Sequence, residues 1–503
     1  GWAGWFVATA LAMARPLALQ VVDPGGHGPA EQALLASAQG VLNREQARVW
    51  LKAGGLHARA LEILEPAPTL EAMPGVWALV ASNRSRLSHF VTCRVTDRSL
   101  NLATSLAGQR GWLVTDASLR DKALGMGLTE AMDVRDTPPG AFARHGAGAA
   151  RRLLVHQPMS KPLHLRDLAI ATGAWVDFEP SHPDDTPLPA LVRALGPGTD
   201  VLGWGSDERD FVMAVSRGGG WVLPADWALN LSAHRWLKAP SAKPQGEQAP
   251  QESLPKRGER VVAFVVSDGD NLQWLLGRFT EAPGFWASPR RGSFAVTWEL
   301  APQLRRWAPA ADAWLRRTAT AQDAFVGGPS GGGYYFPHVH PDAGRAAADS
   351  ARWLDEAGLA VTSVLNDGGD PGEIASLLAS SSVEGVLYKD YAPYNRRRGA
   401  ISWHHGKPAV AYRYLLWEQR RADGTLRPDG LPEGVAAAVA KQSDDPVGSD
   451  DAYAVVQVHA WSFGAKGGPM EAIHDTIQRL PPDTRVVTAP VLVRWLQELR
   501  RPR

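Results

Sequence analysis

The chain has a single cysteine, Cys93, in 503 residues. That excludes an intrachain disulfide and a thiolate metal cluster. It is compatible with a cytosolic protein and equally with an exported one that does without disulfides. Charge of one sign is also missing: 53 Lys+Arg stand against 52 Asp+Glu, for a formal net charge of +1. With no basic stripe and no nucleic-acid motif, a polyanion partner is not expected. The apolar run from Gly4 to Ala14 in "GWAGWFVATALAMARPLA" is too short to span a bilayer, so no transmembrane segment is expected. It resembles the tail of a secretory signal but lacks an initiating Met and a basic n-region. A displaced signal remnant and a first buried helix are the two readings, and an extracytoplasmic (periplasmic or secreted) location is the expectation. No internal repeat and no long low-complexity tract is present. Oligomeric state is not legible.

What is there describes an ordinary globular protein, 45% hydrophobic and 21% charged. The length exceeds what one core usually serves, so two or three domains are expected. The 20 Trp against 8 Tyr are read mainly as core bulk, although Trp also lines sugar sites. The clearest boundary is the proline-rich stretch "LKAPSAKPQGEQAPQESLPKRGER", which reads as a linker over 238–259. Before it, strand-like and helical stretches alternate in two small α/β lobes, 1–148 and 149–237, meeting near 145–155. After it, residues 260–503 carry about seven to eight β/α units, each strand ending in a polar or glycine-rich loop. The expected fold is α/β: a C-terminal distorted (β/α) barrel of about seven strands preceded by the smaller lobes, with an open doubly wound sheet as runner-up. In either case function collects at the carboxyl ends of the strands.

"VVAFVVSDGDNLQW" shows why this matters. A buried strand delivers Asp268 and Asp270 at its carboxyl end, and in extended chain these point to one side, roughly 6.5 Å apart. Gly269 between them is read as supplying positive φ and open space. The alternative is that Asp268 or Asn271 merely caps the next helix, but two acids and an amide exceed what one cap needs. "GGPSGGGYYFP" is a second candidate: a loop whose amides, with Ser330, Gly331 and Gly333, can face a ligand, backed by Tyr334 and Tyr335. A tight turn with core aromatics is the competing reading, and no Gly-Lys-Ser/Thr follows to make a phosphate loop. Further strand ends supply Asp367 and Asp370, then Lys389, Asp390 and Tyr391, and then His459 with Trp461; Glu299 is one more acid so placed. "PHVHP" sets His338 and His340 on one side of an extended segment, a weak metal signal. "GWGSDERD" is another acid-rich strand end, read as a solvated loop or an interface contact, and the N-terminal lobes as accessory.

"GGGYYFP" resembles the Gly-x-Gly-Tyr-x-Tyr-Pro signature of the bacterial GxGYxYP family, with Phe336 in place of the second Tyr. "SDGDNLQW", "YKDYAPYN", "GAISWHHGKPAVAYRYLLW" and "VQVHAWSFG" resemble its C-terminal domain. "GVLNREQARVWL", "VLGWGSDE" and "NLSAHRW" resemble its N-terminal domains. The resemblance implies glycoside hydrolysis, an activity inferred for the family from association with sugar-processing systems. It also implies a barrel similar to those of the glycoside hydrolase/deacetylase superfamily. There an acid pair after the first strand and a histidine after the last are recurring catalytic or metal-binding positions.

The expected function is therefore hydrolysis of a poly- or oligosaccharide without a cofactor. Asp268 would act as nucleophile or base and Asp270 as acid or acid-orienting partner, with Asp367 and Glu299 as alternative acids. His459 and Lys389 would bind hydroxyls or steady charge. Trp274, Tyr334, Tyr335 and Trp461 would form a sugar platform, with Asn271, Gln273, Asp390 and Tyr391 nearby. The alternative is a metal-dependent carbohydrate deacetylase, with Asp268, Asp270 and His459, joined by His338 or His340, holding a divalent ion such as zinc. That reading lacks a clear His-x-x-x-His motif. The second alternative is a glycan-binding protein without turnover.

Overall fold

The computed structural model describes residues 17–26, 43–72, 150–157, 163–178, 188–238 and 252–502, with scattered positions in 32–42, residue 161, and the backbone of three short strands between 91 and 133. The apolar run at 4–14, Cys93, the strand reading of "VWALVAS", the lobe junction before residue 150 and most of the proline-rich stretch lie outside the described residues.

Three small parallel sheets precede the C-terminal one. β1 (Ala18–Val22), β2 (Val49–Leu51) and β3 (Thr69–Ala72) are ordered β2-β1-β3, and β4 (Val91–Thr92), β5 (Trp112–Thr115) and β6 (Glu130–Asp133) are ordered β4-β5-β6. β7 (Leu153–Gln157), β8 (Trp175–Phe178), β9 (Thr199–Gly203) and β10 (Gly220–Leu223) are ordered β10-β9-β7-β8. This last sheet is covered by α1 (Leu188–Leu195), which buries Leu188, Leu191, Val192 and Leu195 at helical spacing. It is covered also by α2 (Glu208–Arg217), whose start is fixed by Asp207 accepting from the Asp210 amide at 2.9 Å. Their core includes Tyr334, Phe336 and Leu365 from the C-terminal region, so the two regions are packed as one.

The C-terminal sheet runs through β11 (Arg260–Val266), β12 (Val296–Leu300), β13 (Asp323–Gly327), β14 (Val361–Asn366), β15 (Gly385–Asp390), β16 (Ile401–His404), β17 (Lys407–Ala411), β18 (Tyr414–Leu416) and β19 (Tyr453–Val458). The hydrogen-bonded order is β16-β17-β15-β14-β13-β12-β11-β19-β18, and β20 (Thr484–Val486) pairs with β11 off this path. All these pairings are parallel except the β16–β17 hairpin. The α/β class holds, and the sheet is a curled half-barrel of nine strands along its path, where about seven were expected. The surplus has a physical reason. β17 and β18 belong to one extended run that leaves β15 and joins β19, interrupted only at Tyr412 and Arg413, and β16 folds back beside it.

β11 is buried on both faces, as a covered parallel strand should be. Val262, Phe264 and Val266 join the large core shared with the surrounding helices. Val261, Ala263 and Val265 join a second cluster with Val326, Val361, Leu387, Val410 and Val455, from strands all along the curl. This cluster fills one side of the curl. α3 (Ala489–Leu499) packs into the same cluster, its first amide donating to Thr297 Oγ1 at 2.9 Å. By the two-residue alternation, Glu299 and Lys389 face this interior as well.

Candidate active site

β11 ends by turning, not by continuing extended. The Asn271 amide donates to the Asp268 carbonyl at 3.1 Å, and Asp268 itself takes the left-handed conformation, φ 68°. The positive φ expected of Gly269 thus belongs to Asp268, a backbone state that costs a non-glycine residue energy and concentrates at functional sites. Gly269 has another reason to be glycine: a Cβ there would lie 1.5 Å from the Glu299 carbonyl oxygen. Asn271 does not cap the following helix α4 (Leu272–Leu276) with its side chain. Its amide group donates instead to the Asp268 carbonyl at 3.0 Å.

Beneath this turn lies a buried ion pair. Lys389 donates to Glu299 Oε1 at 2.9 Å, and Glu299 Oε2 accepts the Asp268 amide at 3.1 Å. Tyr412 also hydrogen-bonds Glu299 and bonds Ser363 Oγ at 2.9 Å. Burial by itself would lower the Lys389 ammonium, but Glu299, Tyr412 and Asp268 together outweigh it and the group is held above its ordinary value. Glu299 is therefore a fully engaged acid, 2% exposed, that positions its neighbours.

Above that floor the carboxyls differ. Asp268 accepts from the Ser267 hydroxyl and is half-buried. Asp270 is buried, with Gly328 packed tightly on it. Desolvation, then the charges of Glu299 and Asp268, push its carboxyl well above the usual range. His459, after β19, keeps its ring 4.0 Å from Trp417 in a stack inclined by 10°, with Nδ1 2.8 Å from Ser462 Oγ. Burial lowers its pKa, opposed by Asp268 and reinforced by Lys389, so a neutral imidazole is favoured. Tyr394 lies 5.3 Å from Trp417 and Tyr391 lies 5.8 Å from Tyr394, which extends an aromatic wall away from His459.

Glu208 is the member that sequence reasoning missed. It opens α2, in the third sheet's domain, within the "GWGSDERD" stretch expected to be solvated or at an interface. It is half-buried and accepts from the Tyr334 hydroxyl at 2.9 Å. Desolvation raises its pKa; the Tyr334 hydrogen bond opposes that, and the Asp268 charge adds to it. The available signal was an acid just past an apolar parallel strand, the place where α/β proteins put ligands. Trp417 and Tyr394 were quoted within longer stretches but not singled out.

Other expected residues lie elsewhere. The glycine loop turns its amides inward: Ser330 to Gly333, Gly332 to Ser350, Tyr334 to Val222 and Phe336 to Ser216. Ser330 is fully buried, with its hydroxyl on the Tyr335 carbonyl, and Tyr335 packs 6.1 Å from Trp221. Gly331 packs on Ser350, and at Gly333 a Cβ would lie 2.6 Å from Trp221. The loop is thus a packing device rather than a ligand cradle, and among the expected platform residues only Tyr334 reaches the acids. Trp274 sits in an aromatic cluster with Phe279, Phe285 and the exposed Trp461, each with its ring 4.9 Å away. Gln273 donates to Asn271. Asp367 is held by Arg209 at 2.7 Å, and Asp390 is buried beside Arg397 at 3.4 Å. His338 is engaged by Asn366 at 2.8 Å, while His340 accepts the Asp342 amide. Among the described residues, no three His, Cys, Asp or Glu side chains are grouped to hold a metal ion.

Residues 259–497 match the family model described as "GxGYxYP putative glycoside hydrolase C-terminal domain", and residues 151–235 match "GxGYxYP third domain". The fold is similar to the crystal structure of a protein described as a putative hydrolase from Bacteroides thetaiotaomicron VPI-5482. The two are 24% identical, with a TM-score of 0.78 over 97% of this chain and 96% of that one. At that identity the likeness concerns the fold. No curated protein matches the chain. No described helix is long and apolar enough to cross a membrane.

Proposed function

Because the chain belongs to the GxGYxYP family, we propose that it hydrolyses a glycosidic bond of a poly- or oligosaccharide at the carboxyl ends of β11, β12, β15 and β19. One observation carries this reading: carboxyls gathered around one turn sit in different environments, Asp268 half-buried and Asp270 walled in. Asp270 and Glu208 are raised by burial, and the charge of Asp268 pushes each of them further up. A glycosidase needs such a division, with a carboxylate to attack the anomeric carbon or activate water and a carboxylic acid to protonate the leaving oxygen. Asp268, half-buried and hydrogen-bonded by Ser267, is the carboxylate. Asp270, walled in beneath it, is the acid-orienting partner. Neutral His459 and the Trp417–Tyr394 wall would bind hydroxyls and sugar C–H faces. The expected location remains extracytoplasmic, where such polymers are met.

Screening labelled plant and bacterial glycans, with and without chelator, tests the reading. Turnover should survive chelation, and Asp268→Asn should lower kcat by at least about a hundredfold with folding intact. Deacetylation without glycosidic cleavage, or undiminished turnover in Asp268→Asn, would overturn it.

A further inference from the structure

The proposed hydrolysis leaves one question open: which carboxyl delivers the proton. Besides Asp268, the carboxyl ends of the strands carry Glu299, Asp270, Asp367 and Glu208, and geometry removes three of these four acids. Glu299 spends both oxygens on Lys389 and the Asp268 amide. Asp270 is only 8% exposed and closed in by Gly328. Asp367 is tied to Arg209 at 2.7 Å. Glu208 alone is half-buried, in no ion pair among the described residues, and held by a neutral hydroxyl.

Its placement is built, not incidental. The glycine loop docks against the third sheet as an antiparallel bridge, with Val222 and Tyr334 exchanging both backbone hydrogen bonds at 2.9 and 2.8 Å. The bridge places the Tyr334 ring in the core shared with α2, 5.7 Å from Phe336 and 6.4 Å from Trp204. From there its hydroxyl meets Glu208 Oε1. Burial and Glu208 keep the Tyr334 hydroxyl protonated, so it remains a donor throughout the working pH range. The first tyrosine of the glycine signature thus orients an acid that another domain contributes.

We propose that Glu208 is the general acid of the proposed glycoside hydrolysis, supplied to the Asp268 turn by the third domain and aimed by Tyr334. This rests on the reading of the site as a glycosidase. In the step, the bond from the anomeric carbon to the leaving oxygen breaks with its electron pair on oxygen, and that oxygen takes the Glu208 proton. Asp268 attacks the carbon itself or takes a proton from the water that does. One water is consumed, and its remaining proton restores Glu208. The charged and titratable groups facing Glu208 are Asp207, Asp268, Lys389, Tyr334, Tyr391 and Tyr394. Burial is the largest influence on Glu208 and holds its carboxyl above the ordinary value. Activity should therefore fall as pH rises through a Glu208 pKa lying above the usual carboxyl range.

The test uses the full chain and two substrates of the same sugar: an unactivated glycan and its 2,4-dinitrophenyl glycoside, whose leaving group needs no proton. Glu208→Gln should fall roughly 10²–10⁴-fold on the first and stay within about tenfold of wild type on the second, whereas Asp268→Asn should lose both. Tyr334→Phe removes a hydrogen bond that favours ionised Glu208, so its alkaline limb should move to higher pH while Glu208→Gln has no such limb. Equal loss on both substrates, or none on either, would overturn the assignment, as would an unmoved limb in Tyr334→Phe. If wild type cleaves no glycoside at all, the reading as a glycosidase fails. If wild type is active and Glu208→Gln matches it, the glycosidase reading stands and only this assignment fails.

Discussion

Two glycine-bearing turns leave the same end of the curled sheet, and their side chains go opposite ways. After β11, the turn Ser267–Asn271 uses Gly269 to lie against the β12 backbone and sets its acids above the Glu299–Lys389 pair. After β13, the loop Gly327–Pro337 uses Gly333 to lie against the Trp221 indole and buries nearly everything else it carries. In each case glycine permits close approach to protein, not to a ligand. What differs is which residues the approach leaves facing the site: acids in the first turn, a single tyrosine hydroxyl in the second. A glycine-rich loop can serve a site by holding another domain in place.

Breaking the floor under the first turn should have the largest effect. Lys389→Met leaves Glu299 buried without its cation, and removing one partner of such a pair costs about 3–5 kcal/mol. Denaturant unfolding should show that loss, and Lys389→Met combined with Glu299→Leu should recover part of it. The glycines come next. Gly333→Ala forces a methyl to within 2.6 Å of an indole, and overpacking of this kind costs about 1–3 kcal/mol. Gly269→Ala should reach the upper end of that range, because the obstacle is backbone that no rotamer change can clear. It should also abolish turnover, since Asp268 moves with it. Equal activity loss in the two alanine variants would erase the contrast between the turns.

The smallest effect is a slope. In the folded chain Asp270 keeps its proton to a higher pH than in the unfolded chain. Its contribution to stability is complete below the ordinary carboxyl pKa and is lost as pH rises from there towards its folded value. Asp270→Asn removes that penalty. Its stability relative to wild type should climb with pH across this window, by at most about 1.4 kcal/mol per pH unit. A flat difference in thermal or denaturant unfolding between pH 4 and 8 would show that Asp270 ionises normally.

The contrast also marks what the sequence could show. The apolar run of β11 ending in two acids is a local pattern, and it located the turn correctly. Which residue would take positive φ was not legible, because Gly is the ordinary choice and only the contact with Glu299 forces Asp268 into that state. The glycine loop was misread for a related reason: glycines that approach an indole and glycines that approach a sugar are written alike. Glu208 lies sixty residues before Asp268 on a helix that covers a different sheet, and its proposed role depends on a bridge between Val222 and Tyr334 that no local pattern records. The strand count rises above seven where one extended run exchanges partners around Tyr412 and Arg413, a break that no local pattern records.

That exchange of partners bears on how the molecule behaves among its own copies. Exposed edge strands invite addition of a foreign strand and lead to aggregation. Here the outer flanks of β15 and β19 are both occupied by the run Lys407–Leu416, so the long hydrophobic strands never form a border. The borders that remain among the described residues of this sheet are β16, β18 and β20, four, three and three residues long, too brief to template much of a fibril. A chain rich in valine strands is thereby shielded from its own kind by ten residues of backbone.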